Sequence, residues 1–209
     1  MRMISSALPF MAVMAAIVVA SNYLVQFPVA LSIGGLDLAD LLTWGAFTYP
    51  VAFLVTDLAN RRFGPKSARL VVFFGFLIAV ALSVWLATPR IAVASGAAFL
   101  TAQLLDVSLF DRLRDRVWWL PPLVSTVAGS CLDTFIFFSL AFSQAAGFIG
   151  AGDAFASETA PLFGLLATEA PRWVSWALGD LMVKLLVGLA MLAPYGALIP
   201  VLGADRARA

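Results

Sequence analysis

The chain has 209 residues, of which 62% are apolar and 12% are charged, and its mean hydropathy is +0.98. A water-soluble domain of this size would expose much of its core at that composition, so the sequence indicates an integral membrane protein. It contains no histidine and one cysteine, Cys131, which excludes His-ligated zinc or haem, CxxC redox centres and Ser-His or Cys-His triads. We therefore expect no metal, no cofactor and no enzymatic activity.

Six apolar stretches of spanning length follow one another along the chain. The predicted helices cover residues 7–27, 40–59, 68–88, 91–110, 120–142 and 173–198. A Gly-containing turn joins the first two, a tight turn at 88–90 joins the third and fourth, and the longest connection covers about 143–172. Six spans of about 20 residues use roughly 120 residues, so we predict an all-α membrane protein with a single six-helix bundle over residues 1–209.

The basic residues are distributed unevenly between the two ends of this bundle. Ten lie at one end, in the N-terminal segment, at 61–69, at 112–116 and near the C-terminus, whereas Arg90 and Arg172 lie at the other end. Because Lys and Arg near helix ends remain in the cytosol, we predict that both termini are cytosolic. Acidic residues interleaved with the basic clusters argue against nucleic-acid binding. The N-terminal apolar run continues through Tyr23, which argues against a cleaved signal peptide.

Polar side chains within the predicted spans are the candidate functional groups, because an ionisable group in a bilayer is costly unless it is paired or hydrated. The predicted substrate-binding residues are Asn22, Gln103, Asp106, Asp133, Asp180 and Lys184. Asp133, Asp180 and Lys184 are expected near the midplane, with Asp180 and Lys184 one helical turn apart. A structural salt bridge and interhelical hydrogen bonds are the alternative roles for these groups. Aromatic walls are expected from Trp44, Phe47, Tyr49, Phe135, Phe137 and Phe138.

A second polar pair lies near the cytosolic end of the second predicted span. Asp57 and Arg61 are one turn apart, which predicts either a gate or a structural ion pair. Inside the bundle as a whole, four carboxyls face the single ammonium of Lys184. At least one carboxyl must therefore be protonated, paired with a cation or hydrated, and this excess leaves proton coupling open.

Two further features concern helix packing. Pro50 falls within the second predicted span, where it frees the carbonyl of Ala46 and is expected to kink or open the helix. Ala12, Ala16 and Ala20 form a stripe of small residues on the first helix. Such a stripe predicts a close contact with another helix of the same bundle, or a docking face for another subunit, a second copy included.

Several short runs are similar to the signatures of one transporter family. They are SNYLVQ (21–26), TWGAFTYP (43–50), FLVTDL (53–58), QLLDV (103–107), FDRLR (110–114), WWL (118–120), DT (133–134) and PYG (194–196), with Asp180 and Lys184. Together they resemble the vitamin uptake transporter (VUT) family. The resemblance implies a multi-pass protein of the bacterial inner membrane that imports a queuosine precursor, 7-cyano-7-deazaguanine or its 7-aminomethyl relative. A carboxylate suits the N1–H and 2-amino group of such a base, and a Lys or Gln side chain suits its carbonyl.

Three other functions remain compatible with the residues. A substrate-binding subunit of an ATP-driven energy-coupling-factor system also has six helices and an alanine stripe on the first, and this chain contains no Walker motif. An intramembrane aspartyl enzyme would have the motif Gly-x-Gly-Asp ending at Asp180. Position 177, where the first glycine of that motif would stand, is alanine. A structural subunit would not require so many polar groups in its spans.

Overall fold

The computed structural model describes residues 2–202, with side chains from residue 7 onward. Its helices are α1 (Arg2–Leu24), α2 (Gly45–Thr48), α3 (Val51–Phe63), α4 (Pro65–Leu86), α5 (Pro89–Leu113), α6 (Leu120–Phe142), α7 (Ala154–Ser157) and α8 (Arg172–Val201). Five of these helices, α1, α4, α5, α6 and α8, are long and apolar enough to cross a membrane. The protein is therefore a helical, multi-pass membrane protein. Arg206 and Arg208, counted above with the cytosolic bases, lie outside the described residues.

The second predicted span is divided into two helices. Residues 40–44 are not α-helical, and α2 and α3 are separated at Tyr49 and Pro50. The prediction of a continuous helix over 40–59 is wrong, whereas the expected interruption at Pro50 is present. Proline lacks an N–H and its ring crowds the preceding turn, so the helix cannot continue regularly through it. With 13 residues, α3 is about 20 Å long, which is short of the hydrocarbon thickness of a bilayer.

The other helix ends differ from the predicted ones by a few residues. The predicted connection over 60–67 is reduced to Gly64, which adopts φ +85°, and α4 begins immediately at Pro65. A positive φ suits glycine, and proline is favoured in the first turn of a helix because it needs no hydrogen-bond acceptor there. The basic residue Lys66, expected in a connection, therefore lies in the first turn of α4.

Two short hairpins form at the end of the bundle opposite the basic clusters. Strand β1 (Ser32–Ile33) pairs antiparallel with β2 (Leu36–Asp37) across Gly34 and Gly35, both of which have positive φ. Two positive φ angles are the requirement of a type I′ hairpin turn, which explains the glycine pair. In the long connection, β3 (Thr159–Pro161) pairs antiparallel with β4 (Glu169–Pro171).

Helix α1 packs against α4 through a face other than its alanine stripe. Ala7, Met14 and Val18 are buried, whereas Ala12, Ala16 and Ala20 are exposed. Gly75 of α4 lies directly against Met14, since a Cβ atom there would come within 2.7 Å of the Met14 Cγ atom. The prediction that the alanine stripe packs inside the bundle is therefore wrong, because a glycine on α4 accommodates a larger side chain instead.

Candidate substrate site

Lys184 of α8 lies at the centre of a buried cluster of charged side chains. Its Nζ atom is 2.6 Å from Oδ2 of Asp133 on α6 and 2.5 Å from Oδ2 of Asp180, one turn earlier on α8. The ammonium group also donates to the hydroxyl of Thr134 over 3.2 Å. Lys184 therefore joins α6 to α8, and the predicted proximity of Asp133, Asp180 and Lys184 is observed.

The two carboxylates of this cluster are held by neutral donors as well. Tyr49, at the break between α2 and α3, donates its hydroxyl to Oδ1 of Asp133 over 3.2 Å. Thr134 donates to Oδ2 of Asp180 over 2.8 Å. The Asp180 side chain retains 16% exposure, against 5% for Asp133 and Lys184. Asp180 is therefore the most accessible charged side chain of the cluster.

A cavity of about 520 Å³ extends from this cluster to the hairpin end of the bundle. That volume falls in the range of small-molecule binding sites. Asp133, Asp180, Lys184 and Tyr49 are among its polar lining residues. Its aromatic lining consists of Phe137, Phe138, Phe142 and Trp176. The arrangement provides hydrogen-bonding groups of both signs next to flat apolar surfaces, which suits a small, planar, polar ligand.

Asn22 and Gln26 also line the cavity, on the α1 side. The Asn22 amide nitrogen donates to the carbonyl of Val18 over 2.9 Å. That bond holds the amide group against its own helix and leaves its oxygen as the group available to a ligand. Asn22 thus lies at the edge of the cavity, as the sequence predicts.

Gln103 and Asp106 do not line this cavity. The lining positions of α5 are Ile91, Ser95 and Ala98, so the cavity ends more than one turn before Gln103. The Gln103 side chain instead contacts the hydroxyl of Thr56 on α3 at 2.7 Å. Packing of α5 against α3 and α6 directs this face away from the ligand space, so the structure does not bring Gln103 and Asp106 together with the Lys184 cluster.

Asp106 lies in a second buried cluster, nearer the basic end of the bundle. Its neighbours are the carboxyl of Asp57 on α3 and the hydroxyl of Ser125 on α6. The side chains of Asp57 and Asp106 are 2% and 0% exposed, respectively. Ser125 donates to Oδ1 of Asp57 over 3.4 Å. Neither carboxyl forms a salt bridge with a Lys or Arg of the described residues.

Arg61 does not form the predicted ion pair with Asp57. Its Nε atom donates to the hydroxyl of Tyr195 on α8 over 2.9 Å, and Nη1 donates to the carbonyl of Arg114 over 2.8 Å. The guanidinium group also lies 5.0 Å from the centre of the Phe110 ring. The spacing of one turn brings Asp57 near, but α8 and the end of α5 offer Arg61 a better set of acceptors.

These Arg61 contacts belong to a larger network that closes the basic end of the bundle. Asn60 donates its side-chain amide to the carbonyl of Val107 over 3.0 Å. Arg114 donates to the carbonyl oxygen and the Oδ1 atom of Asn60. We call Asn60, Arg61, Arg114 and Tyr195 the inner closure. Because the cavity reaches the opposite end, the structure has one open and one closed end.

Several residues of the site were not singled out from the sequence. Trp176 and Phe142 line the cavity with ring centres 5.6 Å apart. The Thr134 hydroxyl accepts from Lys184 and donates to Asp180. Of the aromatic residues expected there, Trp44, Phe47 and Phe135 are not among the lining residues. The chain has 17 Phe and six Trp, so residue type alone does not separate cavity walls from lipid-facing positions. Among the described residues, no group of His, Cys, Asp or Glu side chains is arranged to hold a metal.

Comparison with known proteins places this arrangement in a family. The profile described as "Putative vitamin uptake transporter" matches residues 43–88 and 81–198, which together include the Lys184 cluster and the Asp57–Asp106 pair. The chain belongs to the vitamin uptake transporter family. No solved structure matches the chain significantly.

Two curated relatives of this VUT chain cover most of its length. The "Probable queuosine precursor transporter" of Haemophilus influenzae is 34% identical over 89% of this chain and 83% of its own. The "Queuosine precursor transporter" of Escherichia coli is 35% identical, with the same coverage of both chains. A third, from Bacillus subtilis, carries the name "Probable queuosine precursor transporter" and is 30% identical over 48% of this chain. The relatives support a transporter that acts on a small molecule.

Proposed function

We propose that this VUT protein imports a queuosine precursor, 7-cyano-7-deazaguanine or 7-aminomethyl-7-deazaguanine, across the bacterial inner membrane. The observation that carries the proposal is the Lys184 cluster at the inner end of a cavity with aromatic walls. Transporters named for queuosine precursors are similar to this chain over most of its length. A cavity of about 520 Å³ can hold a single base of this size.

The chemistry of a deazaguanine fits the groups in the cavity. Its N1–H and 2-amino group are adjacent donors that one carboxylate accepts together, which is the role we assign to Asp133. Its carbonyl oxygen requires a donor, and the Lys184 ammonium provides one. Its flat face packs against an aromatic side chain such as Phe138 or Trp176. Asn22 would contact the ligand from the edge of the cavity.

The proposed orientation has six membrane crossings with both termini in the cytosol. The consecutive helices α2 and α3 form the second crossing, with the break at Pro50 beside the site, and the cavity then opens to the outside. Ten basic residues at one end against two at the other support this orientation. A cysteine placed at Ala151, in a Cys131→Ser background, should react with an impermeant reagent from the outside. Labelling from the cytosolic side alone would contradict the orientation.

The transport proposal is tested with the purified chain in proteoliposomes. Labelled 7-cyano-7-deazaguanine should enter saturably, and empty vesicles should show only slow, unsaturable entry. The matched control is Asp115→Asn, which removes a carboxylate from an exposed position outside the cavity. It should transport like the unmodified protein.

One observation favours a second candidate, a substrate-binding subunit of an ATP-driven energy-coupling-factor system. Ala12, Ala16 and Ala20 are exposed on α1, where another subunit could dock closely. This candidate predicts binding of the ligand without uptake when the chain is alone in the vesicle. Uptake by the isolated chain would exclude it.

A further inference from the structure

The Asp57–Asp106 pair is a buried acidic site that ligand binding in the cavity does not use. On α6, Ser125 beside the pair lies eight residues before Asp133, which places the pair about 12 Å from the Lys184 cluster along the helix. The Thr56–Gln103 contact lies between them on α3 and α5. The pair is therefore a separate site in the same helix interfaces, between the cavity and the inner closure.

The surroundings of the pair do not compensate two negative charges. Neither oxygen of Asp106 accepts a hydrogen bond from a donor among the described residues, although the residue is fully buried. The Ser125 hydroxyl has one proton, which it shares between Oδ1 of Asp57 at 3.4 Å and the carbonyl oxygen of Pro122 at 3.5 Å. An isolated buried carboxylate loses several kcal/mol of hydration, and two adjacent carboxyls in such an environment share a proton. Asp57 then donates that proton to Asp106, so the Asp106 carboxylate acquires the donor that it otherwise lacks.

We propose that the Asp57–Asp106 pair is the proton-binding site that couples ligand import to the proton gradient. The proposal rests on the transport function above and specifies its energy source. The pair binds one proton while the cavity is open to the outside and releases it when the basic end opens to the cytosol. Proton entry and ligand entry then occur in the same cycle at two different sites.

The charged and titratable groups around the pair come from a small set of elements. Arg61 on α3 acts on Asp57, and Tyr195 on α8 lies close enough to Asp57 to interact with it. Arg114, after α5, lies beside Tyr195. Helix α6 contributes the neutral Ser125. Helix α1 has no charged residue between positions 7 and 24, and Lys66 and Arg69 of α4 are exposed. No described cation other than Arg61 faces the pair.

The inner closure gives the proton a structural effect. Arg61 lies one turn beyond Asp57, and its Nη2 atom has no hydrogen-bond partner among the described residues. With the pair protonated, Arg61 is held by Tyr195 and the Arg114 carbonyl. Loss of the proton leaves Asp57 charged, and the attraction between a carboxylate and a guanidinium at this spacing favours the Asp57–Arg61 ion pair. That exchange withdraws Arg61 from Tyr195 and loosens the closure.

The test compares the unmodified protein with Asp106→Asn in proteoliposomes that contain a pH indicator. Asparagine has the size of the protonated acid, so the variant should fold, but it cannot release a proton. With one proton per neutral 7-cyano-7-deazaguanine, a gradient of one pH unit, acid outside, supports about tenfold accumulation in the unmodified protein. Asp106→Asn should equilibrate the ligand without accumulation and without moving protons. Asp57→Asn should do the same, and Asp115→Asn should accumulate the ligand normally.

Ligand binding is measured on the same samples to separate this inference from the transport proposal. Retained ligand affinity in Asp106→Asn, together with lost accumulation, supports the proton site. Gradient-driven accumulation by both asparagine variants would overturn it. Accumulation driven by a sodium gradient and insensitive to pH would also overturn it, with Na⁺ as the occupant of the pair. If the unmodified protein neither binds nor transports the ligand, the proposed function fails and this inference fails with it.

Discussion

The two buried polar clusters of this protein differ in how their carboxyl groups are compensated by cations and hydrogen-bond donors. In the Lys184 cluster, one ammonium lies within 2.6 Å of two carboxylates, and hydroxyl groups supply further hydrogen bonds. In the Asp57–Asp106 pair, no described cation is in contact and Asp106 has no donor. The first cluster remains stable with its charges fixed, and it can present them to a ligand. For the second cluster we propose a shared proton, and release of that proton changes the charge of the pair.

The largest expected effect comes from removing the cation of the first cluster. Lys184→Ala leaves Asp133 and Asp180 without their partner, and breaking a buried ion pair in this way costs about 3–5 kcal/mol of folding free energy. We expect a much lower melting temperature in detergent and no ligand uptake. Adding Asp133→Asn to Lys184→Ala removes the more deeply buried carboxylate and should restore part of the stability. A Lys184→Ala variant as stable as the unmodified protein would show that the ion pairs of Lys184 do not stabilise the fold.

The next effect concerns ligand affinity. Asp133→Asn replaces a charged acceptor by an amide with one acceptor oxygen, which should cost about 1.5–3 kcal/mol of binding free energy. That corresponds to roughly a 10- to 150-fold weaker Kd in equilibrium binding to the purified protein. An unchanged Kd would remove Asp133 from the ligand contacts.

Truncation of an aromatic side chain in the cavity wall should have a smaller effect on ligand affinity. Phe138 lines the cavity and is 7% exposed, so Phe138→Ala should weaken ligand binding by about 0.5–1.5 kcal/mol. Phe135, on the same helix, is 70% exposed on the bundle surface. Phe135→Ala is therefore the matched control, and calorimetry should give it the Kd of the unmodified protein. Equal losses in both variants would indicate a general effect on α6.

The smallest expected effect is that of a change in the Asp57–Asp106 pair on ligand binding at the Lys184 cluster. Asp106→Asn lies about 12 Å from the Lys184 cluster by the α6 spacing, so it should change the ligand affinity by less than about 0.5 kcal/mol. Titration of the purified variant with 7-cyano-7-deazaguanine measures this. A loss as large as that of Asp133→Asn would mean that the two clusters act as one site.

The sequence predicted which side chains meet at Lys184, but not the direction in which Gln103 and Asp106 face. The i,i+4 spacing placed Asp180 beside Lys184, and the cost of charge in a bilayer singled out Asp133. The direction of a side chain around the helix axis depends on which helices pack together, and this decided the position of Gln103. It faces Thr56 on α3, a contact between residues 47 positions apart that periodicity does not encode.

The Asp57–Arg61 pair shows a related limit. Spacing predicts which groups can meet, but not which competitor is closer in the fold. Tyr195 lies 134 positions along the chain from Arg61, and its hydroxyl accepts the Arg61 hydrogen bond. The interruption of the second span was predictable because it depends on the chemistry of a single residue, Pro50. The hairpin of Gly34 and Gly35 was predicted only as a turn.

We assign Asp133 to the N1–H and 2-amino edge of a deazaguanine, and removing each partner of that contact tests the assignment. The Kd of 7-deazaguanine and of its analogue without the 2-amino group is measured for the unmodified protein and for Asp133→Asn. Loss of the amino group should weaken binding strongly in the unmodified protein and only slightly in Asp133→Asn, because the contact is already lost there. Equal weakening in both proteins would contradict the assignment.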